Sequence, residues 1–242
     1  MDTSSLKNIK GIIFDYGGTL DSGGDHWSEV IYDAWQKSGI AVGKPQFREA
    51  YVFAERELAR VRHILPSHDF HDLLLVKMRL ELQHISEEGL FPPALVEEKA
   101  AEAARICYES AKSHVKAAEP VLALLAKHFP MVLVSNFYGN VETVLKDFGI
   151  DKYFKKIVES AVVGVRKPDP EIFRLGVKDL NLPADEVLVV GDSYRKDILP
   201  AREAGCAVLW LKGKGWTPEE DEQTDPCIIS SLDEIPELLG LR

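Results

Sequence analysis

At 242 residues, the chain is long enough to form one large domain, or a core with an insertion, and to bury a substantial hydrophobic interior. Hydrophobic residues make up 45% of it and charged residues 28%, as in ordinary globular proteins. The net charge of -10 argues against nucleic acid or an anionic membrane as a partner. The N-terminal residues lack the apolar segment of a secretory signal, and no apolar run approaches the roughly 18 residues of a membrane span. We therefore expect a cytoplasmic protein.

The first predicted strand is short and apolar. Ile12, Ile13 and Phe14 form the kind of run that is buried in a parallel sheet. The run ends at Asp15, and glycines follow at positions 17 and 18. A carboxylate that leaves a buried strand and enters a turn that glycine permits lies where open α/β sheets bind their ligands.

The next part of the chain has helical periodicity. Residues 26–38 place apolar side chains on one face, and further helices are predicted over residues 45–64, 69–85 and 93–115. Since no strand pattern interrupts them, we predict an all-helical subdomain over residues 22–116, inserted between the first strand and the next. Four aromatic residues of this region have helical spacing, so we expect core rather than ligand-binding residues: Trp27, Trp35, Tyr51 and Phe53.

From Pro120 onward, predicted helices and strands alternate. That alternation predicts a parallel sheet covered by helices on both faces, which is a doubly wound, Rossmann-like α/β core formed by residues 1–21 and 117–242. The acidic segment 218–222 is expected to be a solvated loop. The predicted strands span residues 131–135, 156–160, 187–191, 206–210 and 227–229, and the predicted helices span residues 120–128, 140–149, 169–180, 195–204 and 232–239.

Polar and charged side chains lie at the ends of these strands or just before the helices that follow them. Because right-handed crossovers bring the carboxyl ends of parallel strands to one edge of the sheet, these side chains are expected to lie together. Three carboxylates, one lysine and one serine at such an edge suit a divalent metal and a phosphoryl-type anion. They are Asp15, Ser135, Lys167, Asp192 and Asp197, and Asn136 follows Ser135 directly.

The four segments that carry these residues resemble, in order, the four motifs of the haloacid dehalogenase-like (HAD) hydrolase superfamily. The resemblance extends from residue 11 to about residue 210, and the helical insertion corresponds to a cap. It implies hydrolysis of a small phosphorylated or otherwise anionic metabolite, with Mg²⁺ as the cofactor. The sequence indicates neither the substrate, which the cap would select, nor the oligomeric state.

The resemblance also implies catalytic roles. Asp15 would attack phosphorus and form an aspartyl-enzyme intermediate, which splits one difficult step into two. Lys167 would neutralise negative charge on the nucleophile and on the transferring group. Ser135 would donate a hydrogen bond to a phosphoryl oxygen.

The metal and substrate ligands follow from the same resemblance. Mg²⁺ would be held by Asp15, Asp192 and the backbone carbonyl of Gly17, and a backbone ligand does not depend on the side chain. Asp197 would support the metal site. The substrate would be bound by Gly18, Thr19 and Asn136.

One position departs from the family's pattern. Phosphatases of this family usually carry a second aspartate two positions after the nucleophile, which protonates the leaving oxygen and later activates water, whereas this chain has Gly17. Because general acid–base catalysis contributes roughly 10²–10⁴-fold, we expect weak activity or a restriction to good leaving groups such as acyl and aryl phosphates. Asp21 is given no catalytic role. A cap residue could supply the proton, and the candidates are Asp25, His26, His63, His68 and His71.

Two other hypotheses remain open. In the first, the chain cleaves carbon–halogen bonds, or phosphonates with the help of a cap lysine. However, Asp192 and Asp197 retain carboxylates that metal-free dehalogenases do not require, and no cap lysine stands out in the sequence. In the second, the chain is a catalytically silent module that binds a phosphorylated ligand or a protein. The intact Asp15 and Lys167 count against it, since a purely structural role needs no nucleophile.

Overall fold

The computed structural model describes residues 6–241, and its centre is a six-stranded sheet in the order β3-β2-β1-β4-β5-β6. The strands are β1 (Gly11–Phe14), β2 (Met131–Ser135), β3 (Lys156–Glu159), β4 (Val187–Gly191), β5 (Ala207–Leu211) and β6 (Ile228–Ile229). Every neighbouring pair runs parallel. This arrangement confirms the predicted doubly wound, Rossmann-like core.

The central strands are buried because both faces of the sheet are covered. In β1, Ile13 pairs with Val132 of β2 on one side and with Val189 of β4 on the other. Side chains alternate between the two faces along each strand. Ile12 and Phe14 therefore join the hydrophobic cluster on one face, while Ile13, Val132 and Val189 join the cluster on the other. A strand that is buried on both faces needs the continuous apolar run seen in the sequence.

The strand order reverses between β1 and β4. The chain adds β2 and β3 on one side of β1, and then returns to place β4, β5 and β6 on the other side. Open α/β sheets bind ligands outside the carboxyl ends of the strands at such a switch point. The residues that directly follow β1 and β4 therefore border a crevice that the topology itself creates.

Four long helices form the predicted helical insertion. They are α1 (Trp27–Lys37), α2 (Lys44–Arg60), α3 (Phe70–Glu87) and α4 (Val96–Leu125). Helix α3 packs against α2 and α4, and α1 packs mainly against α4. Their buried side chains belong to the same hydrophobic cluster as one face of the sheet. The cap and the sheet thus share one continuous interior.

Helix α4 differs from the prediction. The sequence predicts two helices that end and begin around residues 115–120, whereas one helix runs through Pro120 to Leu125. A proline inside a helix removes one backbone hydrogen bond and costs about 3 kcal/mol. Here the buried face continues across it at helical spacing through Val115, Ala118 and Leu122, and burial of that face offsets the cost. The predicted boundary at residue 116 therefore lies inside a helix, and the domain limits stay a prediction.

The remaining helices flank the sheet. They are α5 (Val141–Asp147), α6 (Ser160–Val163), α7 (Glu171–Leu180), α8 (Leu199–Glu203), α9 (Pro218–Glu222) and α10 (Ile235–Leu238). The acidic segment forms α9 rather than the predicted loop, because Thr217 caps it by accepting a hydrogen bond from the Glu220 amide. The predicted helix 195–204 begins with a π-helical turn over Tyr194–Ile198. None of the helices within residues 6–241 is long and apolar enough to cross a membrane.

Candidate active site

The loop after β1 is shaped by a close approach to the end of β4. The Asp15 amide donates to the Val190 carbonyl at 2.9 Å, which fixes the start of the loop. Gly18 has a φ of +97°, and a Cβ at this position would lie 2.3 Å from a carboxylate oxygen of Asp192. Glycine is therefore required there both by the left-handed backbone and by the neighbouring carboxylate.

Four charged side chains meet at this edge of the sheet. Lys167 Nζ lies 2.7 Å from Asp15 Oδ1 and 2.6 Å from Asp197 Oδ1, and all three side chains are buried. Asp192 accepts a hydrogen bond of 2.9 Å from the Thr19 hydroxyl. One carboxylate oxygen of each aspartate lies within 4.8 Å of the others. The fold therefore brings together the charged residues that the sequence places at separate strand ends.

Burial and mutual repulsion set the charges of this cluster. Burial lowers the pKa of Lys167, but Asp15 and Asp197 raise it above its ordinary value, so the ammonium stays charged. Burial raises the pKa of Asp192, and repulsion from Asp197 and Asp15 raises it further. The pKa of Asp197 is also raised by burial, although Lys167 opposes that shift. Three crowded carboxylates are hard oxygen donors of the kind that Mg²⁺ prefers, so this set of residues fits a divalent cation.

Neighbouring groups hold the lysine and one carboxylate in place. The Asn136 side chain accepts from the Lys167 amide at 2.9 Å and donates to the Lys167 carbonyl at 3.0 Å. The Ser193 amide donates to Asp197 Oδ2 at 2.9 Å. Asn136 thus orients the lysine segment through its backbone, and its predicted substrate contact stays a prediction.

The charged cluster borders a cavity of about 460 Å³ between the sheet edge and the cap. This volume is typical of small-molecule sites. Of the predicted site residues, Thr19 is the one that does not line the cavity, because it is fully buried behind Asp192. The predicted residues that line it are Asp15, Gly17, Gly18, Ser135, Asn136, Lys167, Asp192 and Asp197.

The backbone at Gly17 leaves room for a side chain. A Cβ there would meet the Trp27 indole at 4.0 Å, which is an ordinary contact. The same indole N–H donates to both carboxylate oxygens of Asp21 at 3.1 Å, and the Gly18 amide donates to Asp21 at 2.7 Å. Burial raises the pKa of Asp21 from 3.8 to about 8. Asp21, which received no role from the sequence, lies in the cavity wall, and its raised pKa favours the protonated carboxyl at neutral pH.

Of the five cap residues predicted as proton donors, His26 is the one that lines this cavity. Burial lowers its pKa from 6.5 to about 3, and its Nδ1 accepts from the Ser28 amide at 3.2 Å. A neutral imidazole that accepts at Nδ1 carries its proton on Nε2 and is a poor acid. The others have contacts elsewhere: Asp25 with the Lys214 amide, His63 with Glu57, His68 with Asn140, and His71 with Tyr108.

The cap aromatics lie in three different environments. Trp35 is fully buried, as predicted for a core residue. Trp27 lines the cavity, Tyr51 is buried but also lines it, and Phe53 is 38% exposed. The prediction of core residues is thus confirmed for Trp35 and Tyr51 and wrong for Phe53, while Trp27 packs against the core and also lines the cavity. Helical spacing identifies the face that turns inward, but it does not show whether that face meets protein or a cavity.

The cavity wall also contains an ion pair between a buried lysine and a partly exposed glutamate, which the sequence does not indicate. Lys77 of α3 lies 2.5 Å from a carboxylate oxygen of Glu55 of α2, and Tyr138 donates to the same oxygen at 3.0 Å. One signal was available, because Lys77 lies on the buried face of α3 with Leu74 and Met78. Its burial could have been predicted from that spacing, but its partners on two other segments could not.

Comparisons with known proteins agree with this geometry. A family model described as haloacid dehalogenase-like hydrolase matches residues 9–205. A phosphoglycolate phosphatase of Vibrio cholerae is 29% identical over 83% of this chain and 83% of its own. A glyceraldehyde 3-phosphate phosphatase of Methanocaldococcus jannaschii is 40% identical over 92 residues. That match covers 38% of this chain, and this chain spans only 40% of the length of that protein. The HAD hydrolase YfnB of Bacillus subtilis, solved bound to magnesium, shares the fold at a TM-score of 0.60 and 20% identity, over 97% of this chain and 100% of that one. Solved dehalogenases share the fold as well.

Proposed function

The chain belongs to the haloacid dehalogenase-like hydrolase family, and from that premise we propose that it is a Mg²⁺-dependent phosphohydrolase of small phosphorylated molecules. One observation carries the proposal: Asp15 lies 2.7 Å from the Lys167 ammonium at the switch point of the sheet and borders the cavity. A carboxylate nucleophile beside a fixed ammonium suits attack on a negatively charged phosphoryl group. The phosphatases among the relatives support the same class of substrate.

The geometry suggests which atom attacks. Lys167 bonds Oδ1 of Asp15, so Oδ2 is the oxygen left to attack phosphorus. A bond forms between Oδ2 and phosphorus while the bond from phosphorus to the leaving oxygen breaks. Water then attacks phosphorus, which releases phosphate and restores Asp15. Lys167 and the Ser135 hydroxyl would stabilise the charge on the phosphoryl oxygens in both steps.

The carboxylate cluster is the proposed Mg²⁺ site. Asp15, Asp192, Asp197 and the Gly17 carbonyl would hold the ion, as the closeness of the three carboxylates suggests. When bound, Mg²⁺ supplies positive charge that reduces repulsion between these carboxylates and a phosphoryl group. Lys167, which bonds both Asp15 and Asp197, provides a second, permanent positive charge.

Gly17 cannot transfer a proton, so acyl and aryl phosphates should react fastest. For poorer leaving groups, we propose Asp21 as the proton source. Trp27 lies 4.0 Å from a Cβ built at Gly17 and also donates to Asp21, and this shared neighbour supports Asp21 as the replacement for the missing aspartate. Protonated Asp21 would give its proton to the leaving oxygen and would take one from the attacking water in the second step.

Lys77, a buried lysine of the cap, does not support the phosphonate-cleavage hypothesis. A Schiff-base lysine must be neutral in order to attack a carbonyl. Burial lowers the pKa of Lys77, but Glu55 and Tyr51 raise it well above its ordinary value, so Lys77 stays charged. For carbon–halogen chemistry, the crowded carboxylates of Asp192 and Asp197 have no evident use.

The test is phosphate release from acetyl phosphate and para-nitrophenyl phosphate, with and without Mg²⁺. We expect Mg²⁺-dependent turnover of acetyl phosphate, which Asp15→Asn abolishes. The matched control is Asp185→Asn, since Asp185 is exposed and lies outside the cavity. The proposal is wrong if the wild type releases no phosphate from either compound. Chloride release from chloroacetate without metal would then favour a dehalogenase, and binding without turnover would favour a silent module.

A further inference from the structure

The pair formed by Lys77 and Glu55 lies in the cavity wall on the cap side and has no part in the proposed phosphoryl chemistry. The Lys77 side chain is 6% exposed and that of Glu55 is 38% exposed. The ammonium also lies 4.1 Å from the centre of the Tyr51 ring. Tyr138, which follows β2, reaches the pair from the sheet side. The pair is thus rigidly placed by α2, α3 and a core loop.

The pair keeps unused hydrogen-bonding capacity. An ammonium has three donors, and the bond to Glu55 uses one of them while the Tyr51 ring covers another side. The bonds from Lys77 and Tyr138 both end at Oε1 of Glu55. Within residues 6–241, Oε2 of Glu55 receives no hydrogen bond from the protein. A donor and an acceptor are therefore available side by side in the cavity wall.

Stability alone does not explain such a pair. Burying the Lys77 ammonium costs several kcal/mol before its attraction to the partly exposed Glu55 is counted, and an apolar residue of similar size often serves as well. Leu73, Leu74 and Phe70, which are apolar, line the same cavity as the pair. A charged pair in the wall of a cavity that is also lined by apolar side chains points to recognition of a bound molecule.

The cavity that this pair shares with the reacting centre favours a leaving group whose middle part is apolar. Aromatic rings line the cavity in two groups: His26, Tyr51 and Trp216 contact one another, and Trp27 contacts Phe70. Aromatic walls favour flat or apolar groups. A leaving group that fills the cavity would therefore be apolar in its middle and polar at its far end.

We propose that Lys77 and Glu55 bind the distal end of the leaving group through an uncharged group that has a neighbouring acceptor and donor, such as a carboxamide. The carbonyl would accept from Lys77, and the N–H would donate to Oε2 of Glu55. This inference rests on the proposed function, because it concerns the alcohol that the phosphoryl group leaves. Arg195 and Lys196 are exposed cavity residues, where water screens their charges.

A carboxylate in the same position is disfavoured. It would accept from Lys77, but it would also lie beside the carboxylate of Glu55 and repel it. Glu220 adds a further acidic side chain to the cavity lining. The pair therefore selects neutral polar groups over anionic ones, and this selection distinguishes it from a simple cationic site.

The kinetic test compares three aryl phosphates that differ at the distal end: phenyl, para-carbamoylphenyl and para-carboxyphenyl phosphate. For the wild type, we expect kcat/KM for the carbamoyl compound to exceed that for the carboxy compound by about tenfold to a hundredfold, mainly through KM. In Lys77→Met both compounds should bind more weakly, but the ratio should stay above one because Glu55 still repels the carboxylate. In the double variant Lys77→Met with Glu55→Gln, which removes both charges, the ratio should fall close to one. Lys116→Met, on an exposed part of α4, should keep the wild-type ratio.

A binding test separates this inference from the proposed function. Trp27 and Trp216 line the cavity, so their fluorescence can report binding of para-hydroxybenzamide, phenol and para-hydroxybenzoate. We expect para-hydroxybenzamide to bind the wild type more tightly than the other two, and the double variant to lose this preference. Equal binding of all three, or a preference for the benzoate, would overturn the inference even in an active enzyme. If no phosphate is released but the benzamide preference persists, the phosphohydrolase proposal fails and the binding site stands.

Discussion

Glu81 of α3 allows the electrostatics of the cap interior to be measured. Its side chain is fully buried, and within residues 6–241 neither carboxylate oxygen has a hydrogen-bond partner. Burial raises the pKa of Glu81 from 4.5 to about 8, although Lys77 opposes the shift. The folded protein therefore holds a proton on this carboxyl at neutral pH, whereas the unfolded chain releases it.

The sign and size of the effect follow from this difference. Between pH 4.5 and 8 the folded state binds more protons than the unfolded state, so the free energy of unfolding falls as the pH rises. Each unit of pKa difference corresponds to about 1.4 kcal/mol. From the unfolded-state pKa to neutral pH, Glu81 should therefore remove about 3 kcal/mol of stability. The stability that the proton on Glu81 contributes is fully present below pH 4.5 and is lost as the pH rises to about 8.

The assay is urea unfolding of the wild type, Glu81→Gln and Glu81→Met between pH 5 and 8. As the pH rises, the free energy of unfolding of the wild type should fall relative to that of each variant. Glu81→Met should also be the most stable protein at neutral pH, since it leaves no polar atom unpaired. Glu87→Gln, an exposed position on the same helix, should follow the wild type at every pH. Parallel curves for the wild type and Glu81→Gln would refute the reasoning.

Three further predictions concern the active site. Gly17→Asp should raise kcat for para-nitrophenyl phosphate at least roughly tenfold, because the backbone and the Trp27 contact leave room for an acid–base group; an unchanged kcat would contradict this. Asp21→Asn should slow the hydrolysis of phenyl phosphate more than that of acetyl phosphate. The rate of the wild type should fall above about pH 8, where Asp21 loses its proton, and the variant should not show this fall. Adding Gly17→Asp to that variant should restore the rate, which would not happen if Asp21 only supported the loop. Mg²⁺ should raise the Tm of the wild type but not that of Asp192→Asn, and an equal rise in both would exclude Asp192 as a ligand.

The order of the elements and the central chemistry could be predicted from the sequence. Ile12–Phe14 could be predicted as a buried strand, since a short continuous apolar run that ends at a glycine-containing turn is typical of a strand covered on both faces. Asp15 and Asp192 had to lie together, because parallel strands joined by right-handed crossovers end at the same edge. These predictions depend on local patterns and on topology, and both can be read along the chain.

Other features depend on the balance between local preference and distant contacts. Pro120 predicts a helix boundary, but the helix continues because its apolar face packs against the rest of the molecule on both sides of the proline. Asp21 looks like one polar residue in a turn, but its burial in the folded protein raises its pKa more than the hydrogen bonds from Gly18 and Trp27 lower it. No pattern within a turn contains that information.

The sequence by itself determined the sheet, the helical insertion and the residues that gather at the ends of β1 and β4, because each follows from periodicity or from the rules of strand connection. Only the tertiary structure decided which cap side chains face the substrate cavity. Lys77 and Glu55 belong to different helices, and Tyr138 follows a strand of the core. Their meeting depends on how the helices pack over the sheet edge, which is set by side-chain fit over the whole interior rather than by any short stretch of chain.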